Sequence, residues 1–249
     1  MTESHTYDSQ FFDYINAGST RSARRIVPML AQMANPRTVL DVGCGAGAWL
    51  QVWGEAALDD CMGVDGDYVD TRSLLIAPER FHRQDLSQPF DLGRKFDLVY
   101  SFEVAEHIAP AFAEPFVDNL TAHGDLIAFS AATPGQGGEF HVNEQPYDYW
   151  RAKFRARGYA CFDGLRPQIV GDSQIEPWYR YNILLFANDR GAERLSVAAR
   201  ASRLDDGVPT ADVSPLPWKL RRAVLRRLPR PMVEGLAATV HRLSLAARR

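Results

Sequence analysis

A carboxylate stands two residues before three closely spaced glycines in Val39-Leu40-Asp41-Val42-Gly43-Cys44-Gly45-Ala46-Gly47. The apolar residues ahead of the turn read as a buried strand, and 48–57 reads as a helix after it. Glycines permit positive φ and let a ligand approach the backbone closely. A helix start adds unpaired N–H groups. Gly43, Gly45 and Ala48 also satisfy the dinucleotide fingerprint, so the glycines alone do not choose a ligand. Asp41 chooses. A carboxylate beside this turn repels a pyrophosphate and attracts a cation.

Asp65 lies 18 residues after Gly47, at the end of a second short apolar run, 61–65. An acid there can accept hydrogen bonds from two ribose hydroxyls. NAD would ask for the same acid, so Asp65 marks an adenosine ligand without separating the candidates. S-adenosylmethionine carries a sulfonium and an ammonium, and its charge matches Asp41.

The order of these features over 37–188 resembles the class I methyltransferases. The V-L-D-V-G-C-G-A-G string is similar to their first motif, and Asp65 matches the acid of the second. Asp85-Leu86 sits where that family places residues that meet the adenine. Phe96-Asp97-Leu98-Val99-Tyr100-Ser101-Phe102-Glu103-Val104-Ala105-Glu106-His107-Ile108 resembles the fourth-strand motif, with Ala105 where leucine is usual. The resemblance implies S-adenosyl-L-methionine as cofactor. It would be held by Asp41, Gly43, Cys44, Gly45, Gly47, Asp65, Gly66, Asp85, Leu86, Phe102 and Glu103. Cys44 reads as a small filler of the turn rather than a reactive thiol.

Methyl transfer to a hydroxyl benefits from a base, and histidine is the side chain whose ordinary pKa lies near neutrality. Of the six histidines, His5 and His241 are terminal, and His82 and His123 fall at element edges. His107 follows the fourth strand. His141 lies in the glycine-rich loop 133–146 after the fifth strand, beside Asn143, Glu144 and Gln145. Both face the side of a parallel sheet where ligands bind. The string G-G-x-x-H-V-N-E-Q, followed by Tyr149, Trp150 and Phe154, resembles bacterial methyltransferases of sugars and secondary metabolites. The expected reaction is O-methylation of a small polar acceptor, with His141 and His107 as catalytic candidates. The alternatives are N-methylation, or an adenosyl-binding regulatory protein without catalysis. His141, Glu144 and Asp148 could converge on a metal, but their spacing does not demand one and no metal is expected.

These residues need a scaffold. Apolar runs at 38–42, 61–65, 81–85, 96–101, 125–130, 159–162 and 181–187 read as strands. Helical spacing covers 11–34, with a break expected around Ala17-Gly18-Ser19, and also 48–57, 110–122 and 145–157. Phe11, Phe12, Tyr14 and Ile15 belong to the apolar face of the first helix. The alternation predicts an α/β, Rossmann-like sheet of seven strands, mostly parallel, with helices on both faces and an antiparallel edge strand. Residues 1–189 would form this domain, 190–217 a linker and 218–249 a basic amphipathic helical tail.

The chain has 249 residues, 46% hydrophobic and 24% charged, which is ordinary for a globular protein. Three dispersed cysteines with no C-x-x-C pair suggest reduced thiols in the cytoplasm rather than zinc. No signal core is expected, and no run approaches the ~18 apolar residues of a membrane span. From Lys219 onward there are nine Lys and Arg against one acid, Glu234, leaving nineteen basic and thirty acidic residues elsewhere. An acidic body argues against nucleic acid as substrate. Leu220, Val224 and Leu228 recur every four residues among arginines. That pattern suits peripheral contact with the inner membrane surface, or with a protein.

Overall fold

The computed structural model describes residues 9–229 together with 232, 233, 235 and 239. His5, His241 and most of the tail beyond 229 lie outside the described residues, as do the side chains of Phe11, Phe12, Tyr14 and Ile15.

The sheet is built around β1 (Thr38–Val42), whose Val39, Leu40 and Val42 are fully buried. A continuous apolar run suits a strand covered on both faces. β2 (Asp60–Asp65) and β3 (Phe81–Arg83) extend the sheet on one side. β4 (Leu98–Phe102) and β5 (Leu126–Ser130) extend it on the other. β6 (Ala160–Phe162) and β7 (Leu184–Ala187) complete an order of β3-β2-β1-β4-β5-β7-β6. β7 is antiparallel to both its neighbours, β5 and β6, so the reversed strand lies one place in from the edge. Chain order reverses between β1 and β4, which opens a crevice at their carboxyl ends. The register sets Asp41 of β1 beside Gly63 of β2 and Tyr100 of β4.

Two apolar layers cover the sheet. One holds α1 (Ser9–Ala34) and α2 (Ala48–Glu55), with Ile26, Leu30, Leu50 and Trp53 packed on Val39 and Leu98. The other holds α3 (Ala113–His123) and α4 (Tyr147–Arg155), with Phe116, Leu120 and Phe154 packed on Val99 and Ile127. Among the described residues no helix is long and apolar enough to cross a membrane.

Three expectations change. α1 runs unbroken through Gly18, where a Cβ would fall 2.8 Å from Glu176 Oε1. That glycine serves a close approach, not a break, and the Ser22 hydroxyl donates back to its carbonyl. Second, the run 181–187 is a strand only from Leu184. Pro177 starts α6 (Pro177–Asn182) instead, since a fixed φ suits a first helical turn; α5 (Arg166–Ile169) precedes it.

The third change concerns 190–217. This stretch carries α7 (Asp189–Arg194) and α8 (Val197–Ala201), capped by the side chains of Asn188 and Ser196. Leu195 and Ala199 are buried. The guanidinium of Arg151 donates to the carbonyls of Leu204, Asp205 and Val208, and that of Arg166 to Ala211. The segment is therefore strapped to the sheet by buried arginines.

Candidate active site

The glycine turn closes over the carboxyl end of β1. Gly43 N and Cys44 N both donate to Val64 O. Gly43 has φ +88°, and a Cβ on it would meet Val104 at 2.3 Å. Gly45 has φ +53° and faces open space, so a ligand can approach its backbone. Asp65 accepts from Gly45 N at 2.6 Å, from Gly66 N at 2.7 Å and from the Tyr68 hydroxyl. It already receives the type of donor that a ribose presents.

Asp41 is buried at 3% exposure, and its Oδ2 has no partner with hydrogen-bond geometry. The neighbouring Tyr100 hydroxyl is buried without one as well. Burial, and then the Asp65 carboxylate, push the Asp41 carboxyl well above the usual carboxylate range. Burial also raises Asp65, against the bonds from Tyr68, Gly45 and Gly66. A cation placed here would relieve both acids. The residues thus fit S-adenosylmethionine, with Asp41 toward its positive charge and Asp65 toward its ribose. Cys44 is buried, and desolvation plus the two carboxylates keep its thiol protonated, as expected of a filler.

The other expected cofactor residues divide. Leu86 is buried in the α3 layer. Asp85 is exposed, and its Oδ1 is engaged by the amide and hydroxyl of its own turn residue Ser87. Phe102 packs on Trp49 at 4.7 Å and on Tyr100 at 5.2 Å. Glu103 leaves β4 at φ +57°. Its carboxylate accepts from Gln136 Nε2 at 2.6 Å and Asn182 Nδ2 at 3.2 Å, while its N–H donates to Ser130 O. Surroundings that over-determine the residue hold this left-handed backbone in place.

Beside it stand the two histidines. His107 ends the short 3₁₀ turn Ala105–His107, and His141 lies across from it, with ring centroids 5.0 Å apart at 86°. His141 Nδ1 is 2.9 Å from Glu144 Oε1. Glu144 is pinned in turn by Gly135 N and Gly137 N, each at 2.7 Å. Burial pushes the Glu144 carboxyl up, but the bonds from His141 and those amides outweigh it and hold it low. The dyad is therefore a carboxylate orienting an imidazole. The outer part of His107 is exposed, yet its crowded ring and the adjacent His141 bring its pKa down to about 4. Val142 N and Asn143 N both donate to Glu106 O, which ties the loop to the turn after β4.

Against this loop lies α9 (Leu216–Leu225). Arg221 donates to Gln136 O and Arg226 to Pro134 O, each at 2.7 Å, and buried Arg222 reaches Thr133 Oγ1 and Asp212. A groove of about 420 Å³ runs between loop and helix, lined by Pro134, His141, Asn143, Glu144, Leu225 and Arg226. Asp148 does not join; it accepts from Thr210 instead. His123 is structural, bridging Asn119 O and Leu92 N, and His82 is exposed on β3. Sequence reasoning missed Glu106, Gln136, Asn182, Tyr68 and the arginines of α9. Glu106 had a signal, its place within the fourth-strand motif, but nothing in a string reports an unpaired carboxylate.

Residues 14–122 match a family model described as a methyltransferase domain. No curated protein matches the sequence at a significant level. Among solved structures, the chain is similar to DesVI of Streptomyces venezuelae (16% identity, 74% of this chain and 100% of that one, TM-score 0.53). It is similar also to the sugar N-methyltransferase KedS8 from Streptoalloteichus sp. (19%, 70% and 87%, TM-score 0.51). A third is the magnesium protoporphyrin IX methyltransferase ChlM from Synechocystis, solved with bound S-adenosylmethionine (19%, 74% and 86%, TM-score 0.51). At such identities the likeness is one of fold. The matched domain spans β1 to β4, and so contains the whole cradle of Asp41, Gly43, Gly45 and Asp65. Residues 14–122 thus match a methyltransferase domain, set in a Rossmann-like sheet whose glycine turn, Asp41 and Asp65 fit S-adenosyl-L-methionine as the cofactor.

Proposed function

We propose that the protein methylates a hydroxyl of a small polar acceptor, such as a sugar or a natural product. The observation that carries this reading is the His141–Glu144 dyad, fixed by two backbone amides and lining the groove beside the crevice. When bound, the cofactor supplies a methyl group already activated by a sulfonium. Asp41 and the glycine turn hold it, Asp65 accepts from its ribose, and the loop aligns the acceptor. His141 takes the hydroxyl proton as the new O–C bond forms, with Glu144 holding the imidazole. His107, neutral near pH 7 and packed against the His141 ring, would help to orient the acceptor. The buried free thiols Cys44, Cys61 and Cys161 support a reducing compartment, in keeping with the cytoplasm.

A second reading is N-methylation. It is favoured by the shared fold with KedS8, a sugar N-methyltransferase. An amine needs no dyad, which separates the two. A screen of hydroxyl and amino sugars with labelled cofactor identifies the acceptor. With a hydroxyl acceptor, His141→Ala lowers kcat by about 10²–10⁴-fold and leaves cofactor affinity unchanged. Near-normal turnover of that variant, or methylation of amines alone, rejects O-methylation through His141.

A further inference from the structure

Glu106, His107 and His141 converge outside the cofactor cradle. One carboxylate oxygen and one ring nitrogen from each imidazole all lie within 4.8 Å of one another. Glu106 is only 1% exposed, and neither of its carboxylate oxygens has a partner with hydrogen-bond geometry. Proteins rarely leave a buried carboxylate unpaired; it takes a proton or a cation.

The surroundings favour the cation. His141 Nε2 faces Glu106 Oε1 at 4.0 Å, while Nδ1 is held by Glu144. A carboxylate on the far nitrogen is the usual support of a metal-bound histidine, because it fixes the tautomer and aims the free nitrogen. The His107 ring is bonded to the backbone of Phe140, which fixes it likewise. The ligands come from a 3₁₀ turn and a loop tied together by two amides on Glu106 O, so neither is free to swing away alone. Two imidazoles and one carboxylate leave further coordination positions open, as in catalytic rather than structural sites.

We propose that Glu106, His107 and His141 bind a divalent transition-metal cation that accepts mixed imidazole and carboxylate ligands, such as Mn²⁺, Co²⁺ or Zn²⁺. The binding stands by itself; its use in chemistry rests on the hydroxyl-acceptor reading above. There, an acceptor hydroxyl at an open position loses its proton to water more readily. The O–CH₃ bond then forms as the S–CH₃ bond breaks, and the cofactor leaves as a neutral thioether. With the cation bound, His141 Nε2 is a ligand and water takes the proton; His141 acts as the base described above only in the cation-free enzyme, so turnover with and without the cation separates the two roles.

The test uses the full chain, stripped with a chelator, and no acceptor. Mn²⁺, Co²⁺, Zn²⁺ and Mg²⁺ are titrated separately by calorimetry, and Co²⁺ is followed also by its visible absorption. One site per chain is expected for at least one of the first three, with Mg²⁺ weaker. Glu106→Gln and His141→Ala should abolish it, and Glu144→Gln should weaken it by about 10–100-fold. Cofactor affinity and circular dichroism report folding in each variant. Should the buried Glu106 variant not fold, the more exposed His107→Asn serves in its place. No binding of any of the four cations, or binding that survives both His141→Ala and His107→Asn, overturns the proposal. Intact cation binding with no hydroxyl acceptor methylated would instead reject the functional reading alone.

Discussion

Asp41 is costly where it stands. Burial raises its carboxyl pKa well above the ordinary value of 3.8, and one oxygen has no partner. A carboxyl whose folded pKa is raised binds its proton more tightly in the folded state, so stability is lost as pH rises above the unfolded value. Asp41→Asn removes that loss. The ligand-free variant should melt higher than the parent, and the gain should grow between pH 5 and pH 7.5. Calorimetry should find its cofactor affinity reduced by about 10-fold or more, as for a lost bond to a charged group. A lower melting temperature at pH 7.5 would contradict the assignment. The places of Asp41, Gly45 and Asp65 were legible in the sequence because they are local: a strand, a turn and a strand end, each read within a few residues. Glu106 was not, because its distinguishing property is a missing partner. Asp85 illustrates the converse. Its position matched the family, but its carboxylate is engaged within its own turn.

Helical spacing found α9 but not its orientation. Leu216, Leu220 and Val224 are 67%, 58% and 58% exposed, whereas Arg222 is buried. The inward face is polar because its partners are backbone and hydroxyl oxygens of the loop after β5, and arginine supplies the donors. Such pairing across 85 to 92 residues leaves no periodic trace. The outward row, with exposed Lys219 and Arg227 near it, supports the proposal of contact with an anionic membrane surface. The protein should sediment with vesicles rich in phosphatidylglycerol and not with phosphatidylcholine alone. Replacing Leu220 and Val224 by Asp should abolish that. Equal recovery in the supernatant with both lipids would reject it. The strap at 190–217 was hidden for a similar reason, since Arg151 and Arg166 meet carbonyls 45 to 57 residues ahead.

The whole molecule divides its labour along the chain. The matched domain ends at 122, before β5, and contains the cofactor cradle; the groove is lined mostly by residues after β5. Removing the chain from Trp218 onward should therefore leave cofactor affinity within a few-fold. It should lower turnover by about 10–100-fold, because a shifted loop misplaces the acceptor. Unchanged turnover would mean that α9 only covers the groove. The seven strands were legible from apolar runs, but their order and the switch point between β1 and β4 were not, because which strands pair leaves no mark in the runs themselves. The division between halves was not, because it depends on contacts between distant segments. The arginine clamp also has a consequence in time. Synthesis proceeds from the N-terminus at about 5–20 residues per second, and domains form as they emerge. The sheet that carries the cradle is complete only once β7 is made, and the loop after β5 waits longer still, for Arg221, Arg222 and Arg226. A chain stopped between β7 and α9 is therefore expected to fold and bind cofactor while lacking the arginines that hold the acceptor loop.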